Sequence, residues 1–198
     1  MIKNKIQIIG LYGVVATGKS TLSHHLLDSF READLVVTDN LLAIKRMQDS
    51  SPVWRHSSYN QWERFGDPNR DNLWKGFLEY RNGMEEFMAC VLSRAKEQRV
   101  DMIFEGIHID PALFSRYETD LAVNLFLLVI GDPRIHEERI REKCSYRPTL
   151  LRRLEEYFVR IRALQDLLIG EAKSQKVQVV DTGDNIENCL HGIREKLR

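Results

Sequence analysis

Cysteine is scarce: Cys90, Cys144 and Cys189 are the only three in 198 residues. They are too few and too far apart for a disulfide framework or a zinc knuckle, which fits a reducing compartment. Net charge is missing as well, because 29 Lys and Arg balance 29 Asp and Glu. No global field therefore favours nucleic acid or an anionic membrane as the main partner. The apolar run Leu121 to Ile130 falls far short of the roughly 20 residues that cross a bilayer. Met1 to Lys5 lead straight into an apolar stretch, which leaves no room for a signal peptide. Repeats and low-complexity tracts are absent, and His24, His25, His56, His108, His136 and His191 show no metal-site spacing. What these absences leave is a cytoplasmic globular chain. Its 43% hydrophobic residues suffice for the core of one domain over residues 1–198.

What the sequence does contain is a Gly-x-x-x-x-Gly-Lys-Ser pattern, Gly13 to Ser20, followed by Thr21. The apolar stretch Ile6 to Leu11 before it reads as a buried strand, and Thr21 to Leu27 after it as a helix. Strand, glycine loop and helix in that order let successive backbone amides face phosphate oxygens at a helix N-terminus. Gly13 and Gly18 permit backbone angles and close approach that a side chain would forbid. The loop from Gly13 through Ala16, Thr17, Gly18, Lys19, Ser20 and Thr21 is thus the expected nucleotide site. Lys19 would reach the β- and γ-phosphates, and Ser20 would ligate Mg2+. No guanine-reading Asn-Lys-x-Asp is present, which weakens a GTPase reading.

Further strands are expected at Asp34 to Asp39, Asp101 to Gly106, Ala122 to Ile130 and Lys176 to Asp181, separated by helical patterns. That alternation predicts an α/β fold, a three-layer α/β/α arrangement around a five-stranded parallel sheet. One long amphipathic helix is expected to carry Leu73, Phe77, Met84, Phe87, Met88, Val91 and Ala95. Another is expected to carry Leu154, Tyr157, Phe158, Ile161, Leu164, Leu168 and Ala172. Residues 48–72 break the pattern with polar, aromatic and proline residues, where a substrate-binding insertion would sit. Ligands in open parallel sheets bind beyond the strands' carboxyl ends. Gly13 to Ser20, Asp39, Glu105 and Gly131-Asp132 are therefore expected to line one crevice.

Phosphoryl transfer needs an aligned acceptor, neutralised charge and little water. Asp39, at the end of the second strand, would orient or deprotonate an acceptor hydroxyl. Glu105 ends an apolar strand where an acid holds the Mg2+ hydration shell or touches substrate. Residues 133–148, densely charged and opened by Asp132-Pro133, read as a lid. Arg139, Arg141, Lys143 and Arg147 are its candidates to clamp phosphates, with Arg139 and Arg147 preferred. Thr182 to Asn185 would lie near the base or cap the last helix.

Several stretches together resemble the 2-phosphoglycerate kinases that share this phosphate loop. They are the loop itself; Val36 to Asp39 followed by Arg46; Ser57-Ser58-Tyr59; Phe104 to His108; and Ile161 to Asp166. The resemblance implies a nucleoside-kinase-like P-loop fold, dependence on ATP and Mg2+, and a small acidic acceptor. It places Asp39 near the acceptor and Arg46, Ser57, Ser58 and Tyr59 on the substrate side, with Glu105 and His108 on the floor; Arg55, in the same insertion, is a further substrate-side candidate from the residues themselves. Ala16 stands where that family's loop is expected to have glycine, so the backbone there must hold negative φ or bear a strain of about 1 kcal/mol. Two other readings stay open: a nucleotide-binding switch without metabolite kinase activity, and a zeta-toxin-like or antibiotic-modifying kinase. A nucleic-acid end kinase is disfavoured by the neutral charge. The oligomeric state stays open between monomer and homodimer.

Overall fold

In the computed structural model, residues 5–30 and 32–197 are described; the leader-free N-terminus read from Met1 to Asn4 lies outside them. Strands β1 (Gln7–Tyr12), β2 (Asp34–Val37), β3 (Met102–Glu105), β4 (Ala122–Val129) and β5 (Gln178–Asp181) form one sheet in the order β2-β3-β1-β4-β5. Every pairing is parallel, so all five carboxyl ends share one edge. Side chains alternate across it as the pleat requires. Ile8 and Tyr12 of β1, Phe104 of β3, and Leu127 and Val129 of β4 enter one core; Ile9, Leu11, Ile103, Phe126 and Leu128 enter the other.

Helices cover both faces. Helix α1 (Lys19–Leu27) and the last helix, Ile186–Lys196, close the second core through Leu22, Leu26 and Ile193. The first core takes the remaining helices: α2 (Thr38–Gln48), α3 (Arg70–Asn82), α4 (Glu85–Gln98), α5 (Pro111–Ser115), α6 (Pro133–Lys143), α7 (Pro148–Glu156) and α8 (Phe158–Ser174). The Ile186–Lys196 helix is therefore α9, and its N-cap is Asn185, which accepts from the Glu187 and Asn188 amides. The three-layer α/β/α fold read from the sequence is the fold observed.

Three boundaries differ from expectation. The second strand stops at Val37, and Asp39 lies in the first turn of α2, because the chain passes from extended backbone at Val37 directly into helix. Neither long helix is continuous. The first breaks at Gly83, where a Cβ would come within 2.6 Å of the Trp54 ring, so a residue without a side chain lets the indole pack against the break. The second bends at Tyr157, whose hydroxyl donates to Glu63 while its ring packs on Tyr59. Residues 48–72, expected as a helical substrate-binding insertion, carry short helical turns. They form two 3₁₀ turns, Pro52–Arg55 and Gln61–Arg64, pinned by a satellite core of Leu42, Val53, Trp54, Tyr80 and Met84.

Candidate functional site

β1 delivers the chain to the middle of the sheet, and the glycine loop turns there into α1. Gly13 has φ +147°, and a Cβ on it would lie 2.2 Å from the Leu128 carbonyl oxygen; only glycine passes so close to β4. Gly18 is in the left-handed region and caps α1 without a side chain, and no acidic residue occupies that helix's first turn. Amides left without an intrahelical partner at such an end attract anions. Ala16 takes the strained alternative, with φ +62°, a conformation costing a non-glycine residue about 1 kcal/mol. Lys19 folds back, its Nζ donating to the Val14 carbonyl at 2.6 Å. Burial, and next the charge of Lys143, lower its pKa to about 8, against the opposing pull of Asp39 and Glu105.

Two cavities open on either side of this loop. One, of about 380 Å3, is lined by Lys19, Ser20, Asp39, Arg46, Glu105 and Lys143, among others. The other, of about 420 Å3, lies along Ala16 to Thr21 with Arg139, Lys143 and Ile186. They share Lys19, Ser20 and Lys143. Glu105, at the end of β3, sits between α1 and the first cavity. Its Oε1 accepts from Ser20 Oγ at 3.3 Å and its Oε2 from Ser23 Oγ at 3.4 Å. A loop hydroxyl and a buried carboxylate are hard oxygen donors of the kind Mg2+ takes when substrate phosphates and water complete its shell. Among the described residues no group of three or more His, Cys, Asp or Glu could hold a metal by itself. The residues present thus fit a cation shared with a nucleotide.

Behind the first cavity lies a buried polar pair. Thr38 Oγ1 and His108 Nδ1 are 2.9 Å apart, and His108 is only 1% exposed, with its Nε2 unpartnered. Burial lowers the His108 pKa to about 4, with Asp39 opposing and Arg46 and Lys19 reinforcing. Gly106, at φ +140°, makes room for the pair, since a Cβ there would lie 1.7 Å from Thr38 Oγ1. On the other side, His136 ties α6 to the glycine loop. Its Nε2–H donates to the Val15 carbonyl at 2.9 Å, while Nδ1 faces Arg162 Nη1 at 3.4 Å. That arrangement requires neutral imidazole, and burial, ahead of the charge of Arg162, lowers its pKa to about 4.

The remaining candidates divide cleanly. Ser57, Ser58 and Tyr59 line the first cavity with Arg46, whose Nε donates to the Trp54 carbonyl at 2.9 Å and whose Nη2 donates to that of His56 at 3.3 Å. Arg139 reaches the Gly183 carbonyl at 3.0 Å and Thr182 Oγ1 at 3.5 Å from the second cavity. Arg55 is exposed and lines neither. Arg147 is exposed too, set over the Tyr146 ring in a shallow groove with Arg153, because the turn after α6 points it outward. His108 lies beneath the floor, not on it. The sequence underrated Lys143, which the structure places at the junction, and passed over Tyr80, whose only mark was its place one turn after Phe77 and Gly76. Leu154, Ile161 and Leu164 are the core residues the sequence led us to expect, buried in the first core and backing the first cavity.

No protein-family profile matches the chain. It is similar to the 2-phosphoglycerate kinase of Methanocaldococcus jannaschii, 26% identical over 200 residues that cover 96% of this chain and 64% of that one. The chain thus spans less than two thirds of that relative's length. It is also similar to the mevalonate-3-phosphate 5-kinase of Thermoplasma acidophilum, 24% identical, covering 91% of this chain and 90% of that one. Among solved structures, deoxyadenosine kinase from M. mycoides matches with a TM-score of 0.52 at 14% identity, covering 96% and 98% of the two chains, a likeness of fold. The resemblance drawn from the residues agrees with these relatives. Among the described residues no helix is long and apolar enough to cross a membrane.

Proposed function

We propose that this chain transfers the γ-phosphate of ATP to a hydroxyl of a small acidic metabolite. The observation that carries the reading is the pair of cavities meeting at Lys19, Ser20 and Lys143. One lies along the phosphate loop, and the other runs to the acidic and basic groups an acceptor needs. Both relatives' names denote enzymes that phosphorylate a compound already carrying a phosphate, and that is the acceptor class proposed here. Neither name favours a switch or a toxin.

In this reading the loop amides and Lys19 hold the β- and γ-phosphates, and Ser20 and Glu105 hold Mg2+, which neutralises phosphate charge when bound. Asp39, in the first turn of α2, orients the acceptor hydroxyl and receives its proton as the oxygen bonds to the γ-phosphorus and the bond from that phosphorus to the β,γ-bridging oxygen breaks, leaving ADP. Lys143 stands where the equatorial oxygens gather charge. Arg46 and the Ser57 to Tyr59 segment hold the acceptor's anionic group. Residues 133–148 act as the lid, with α6 anchored to the loop through His136. Arg139 serves the nucleotide side.

ADP release measured over a panel of phosphorylated hydroxy acids, sugars and nucleosides tests the proposal. At least one acceptor should raise the rate well above that with water. Asp39→Asn should then lower kcat at least 100-fold with nucleotide affinity retained, and Lys19→Ala should lower both. Nucleotide binding with no acceptor-stimulated release would refute it.

A further inference from the structure

The phosphate loop is held in shape from outside itself. Ala16 has φ +62°, a left-handed conformation that a residue with a side chain adopts only at a cost. The peptide just before it is gripped by α6: the Val15 carbonyl accepts from His136 Nε2 at 2.9 Å. His136 is fully buried, and its ring packs edge-on against Phe158. Its other nitrogen, Nδ1, faces Arg162 Nη1 at 3.4 Å. A guanidinium can only donate, so Nδ1 accepts and the imidazole proton sits on Nε2, aimed at Val15. Arg162 is fixed in turn, because it also donates to the carbonyls of Ile130 and Gly131.

In a trans peptide the C=O and N–H of one plane point in opposite directions, and among the described residues no peptide is cis. With the Val15 carbonyl drawn toward His136, the Ala16 N–H is turned the other way, to the inner side of the loop where successive amides gather around an anion. Among the described residues that N–H donates to no backbone carbonyl, and Ala16 itself lines the second cavity. We infer that His136 is a positioning residue for the nucleotide: by holding the Val15 carbonyl it keeps Ala16 left-handed and aims the Ala16 amide at the phosphates, and Arg162 fixes the tautomer that does so. This inference rests on the nucleotide side of the kinase reading and needs no particular acceptor.

The experiment uses the full chain with ADP and Mg2+, followed by titration calorimetry and by the NMR signal of the Ala16 amide. His136→Phe keeps a ring against Phe158 but has no donor, His136→Asn has a donor too short to reach Val15, and His136→Gln can still reach it. Circular dichroism confirms that each variant is folded, and His136→Asn serves where His136→Phe is not. Loss of the donor should weaken ADP about tenfold, whereas His136→Gln should stay within about threefold of the original chain. The displacement of the Ala16 amide signal on adding ADP should shrink in His136→Phe and persist in His136→Gln. In Ala16→Gly the left-handed conformation is nearly free, so adding His136→Phe there should cost about fivefold less affinity than it does in the original chain. Unchanged ADP affinity in His136→Phe, equal losses in His136→Phe and His136→Gln, an unaltered Ala16 displacement, or losses that simply add with Ala16→Gly each overturn the inference and leave the kinase reading standing. The expected pattern in a chain that no acceptor stimulates supports the positioning role and counts against phosphotransfer. No ADP binding by the original chain overturns both.

Discussion

Lys19 carries a pH dependence that follows from where it sits. Its pKa of about 8 lies below the ordinary lysine value, and bound phosphates favour the charged form. As pH rises through about 8 the free protein loses that proton, so binding a nucleotide must take it up again. Affinity for ADP should therefore hold steady from pH 6 to 7.5 and weaken above 8, by up to about tenfold per pH unit. Titration calorimetry between pH 6 and 9.5 checks this, and Lys19→Arg should flatten the profile; equal affinity at pH 7 and 9.5 in the original chain would contradict it. The residues that could be read in the sequence are those whose chemistry is tied to a local pattern. Lys19 and Ser20 follow from glycine spacing, and Glu105 from being an acid at the end of an apolar strand. Lys143 had no such mark, because its helix is charged on nearly every side. Arg55 and Arg147 line neither cavity for the same reason: composition shows that a segment is basic but not which way a turn aims each guanidinium.

At the level of elements, the entry to α2 depends on a junction of three segments. β3 ends at Glu105, Gly106 takes φ +140° to let Thr38 in, and Thr38 meets buried His108. Asp39 is the next residue along α2, so the position of the proposed base is set by contacts it does not itself make. Gly106→Ala should push Thr38 aside, costing about 2 kcal/mol or more of stability and lowering kcat at least tenfold with nucleotide affinity nearly unchanged. Urea unfolding and steady-state kinetics on the same preparation check it; unaltered kcat would show that the junction does not position Asp39. Amphipathic periodicity located α3, α4, α7 and α8 but not their breaks. Trp54 from another segment packs at the Gly83 break, and Glu63 accepts from Tyr157 at the bend; neither partner is visible in the helix's own pattern.

Across the whole molecule, His108 and His136 are both buried and neutral, each with a pKa lowered to about 4. Both pKa values lie below that of an unfolded histidine, about 6.5. The unfolded chain therefore binds more protons between those limits. Stability should be full above pH 6.5 and fall as pH drops toward 4, by up to about 1.4 kcal/mol per pH unit for each histidine. Urea midpoints at pH 7, 6 and 5 test this, with His136→Gln expected to lessen the slope; equal midpoints at pH 7 and 5 would refute it. What the sequence determined by itself is whatever depends on neighbours along the chain: the strand, glycine loop and helix at Gly13 to Ser20, the alternation of strand and helix that specifies a parallel sheet, and the acid at Glu105. Only the tertiary structure decided that Ala16 takes positive φ and that Lys143 rather than Arg147 stands between the cavities. Two basic side chains of one charged segment look alike in sequence. What separates them is where the end of α6 and the turn after it aim each one, and that is fixed only when α6 packs against the glycine loop through His136.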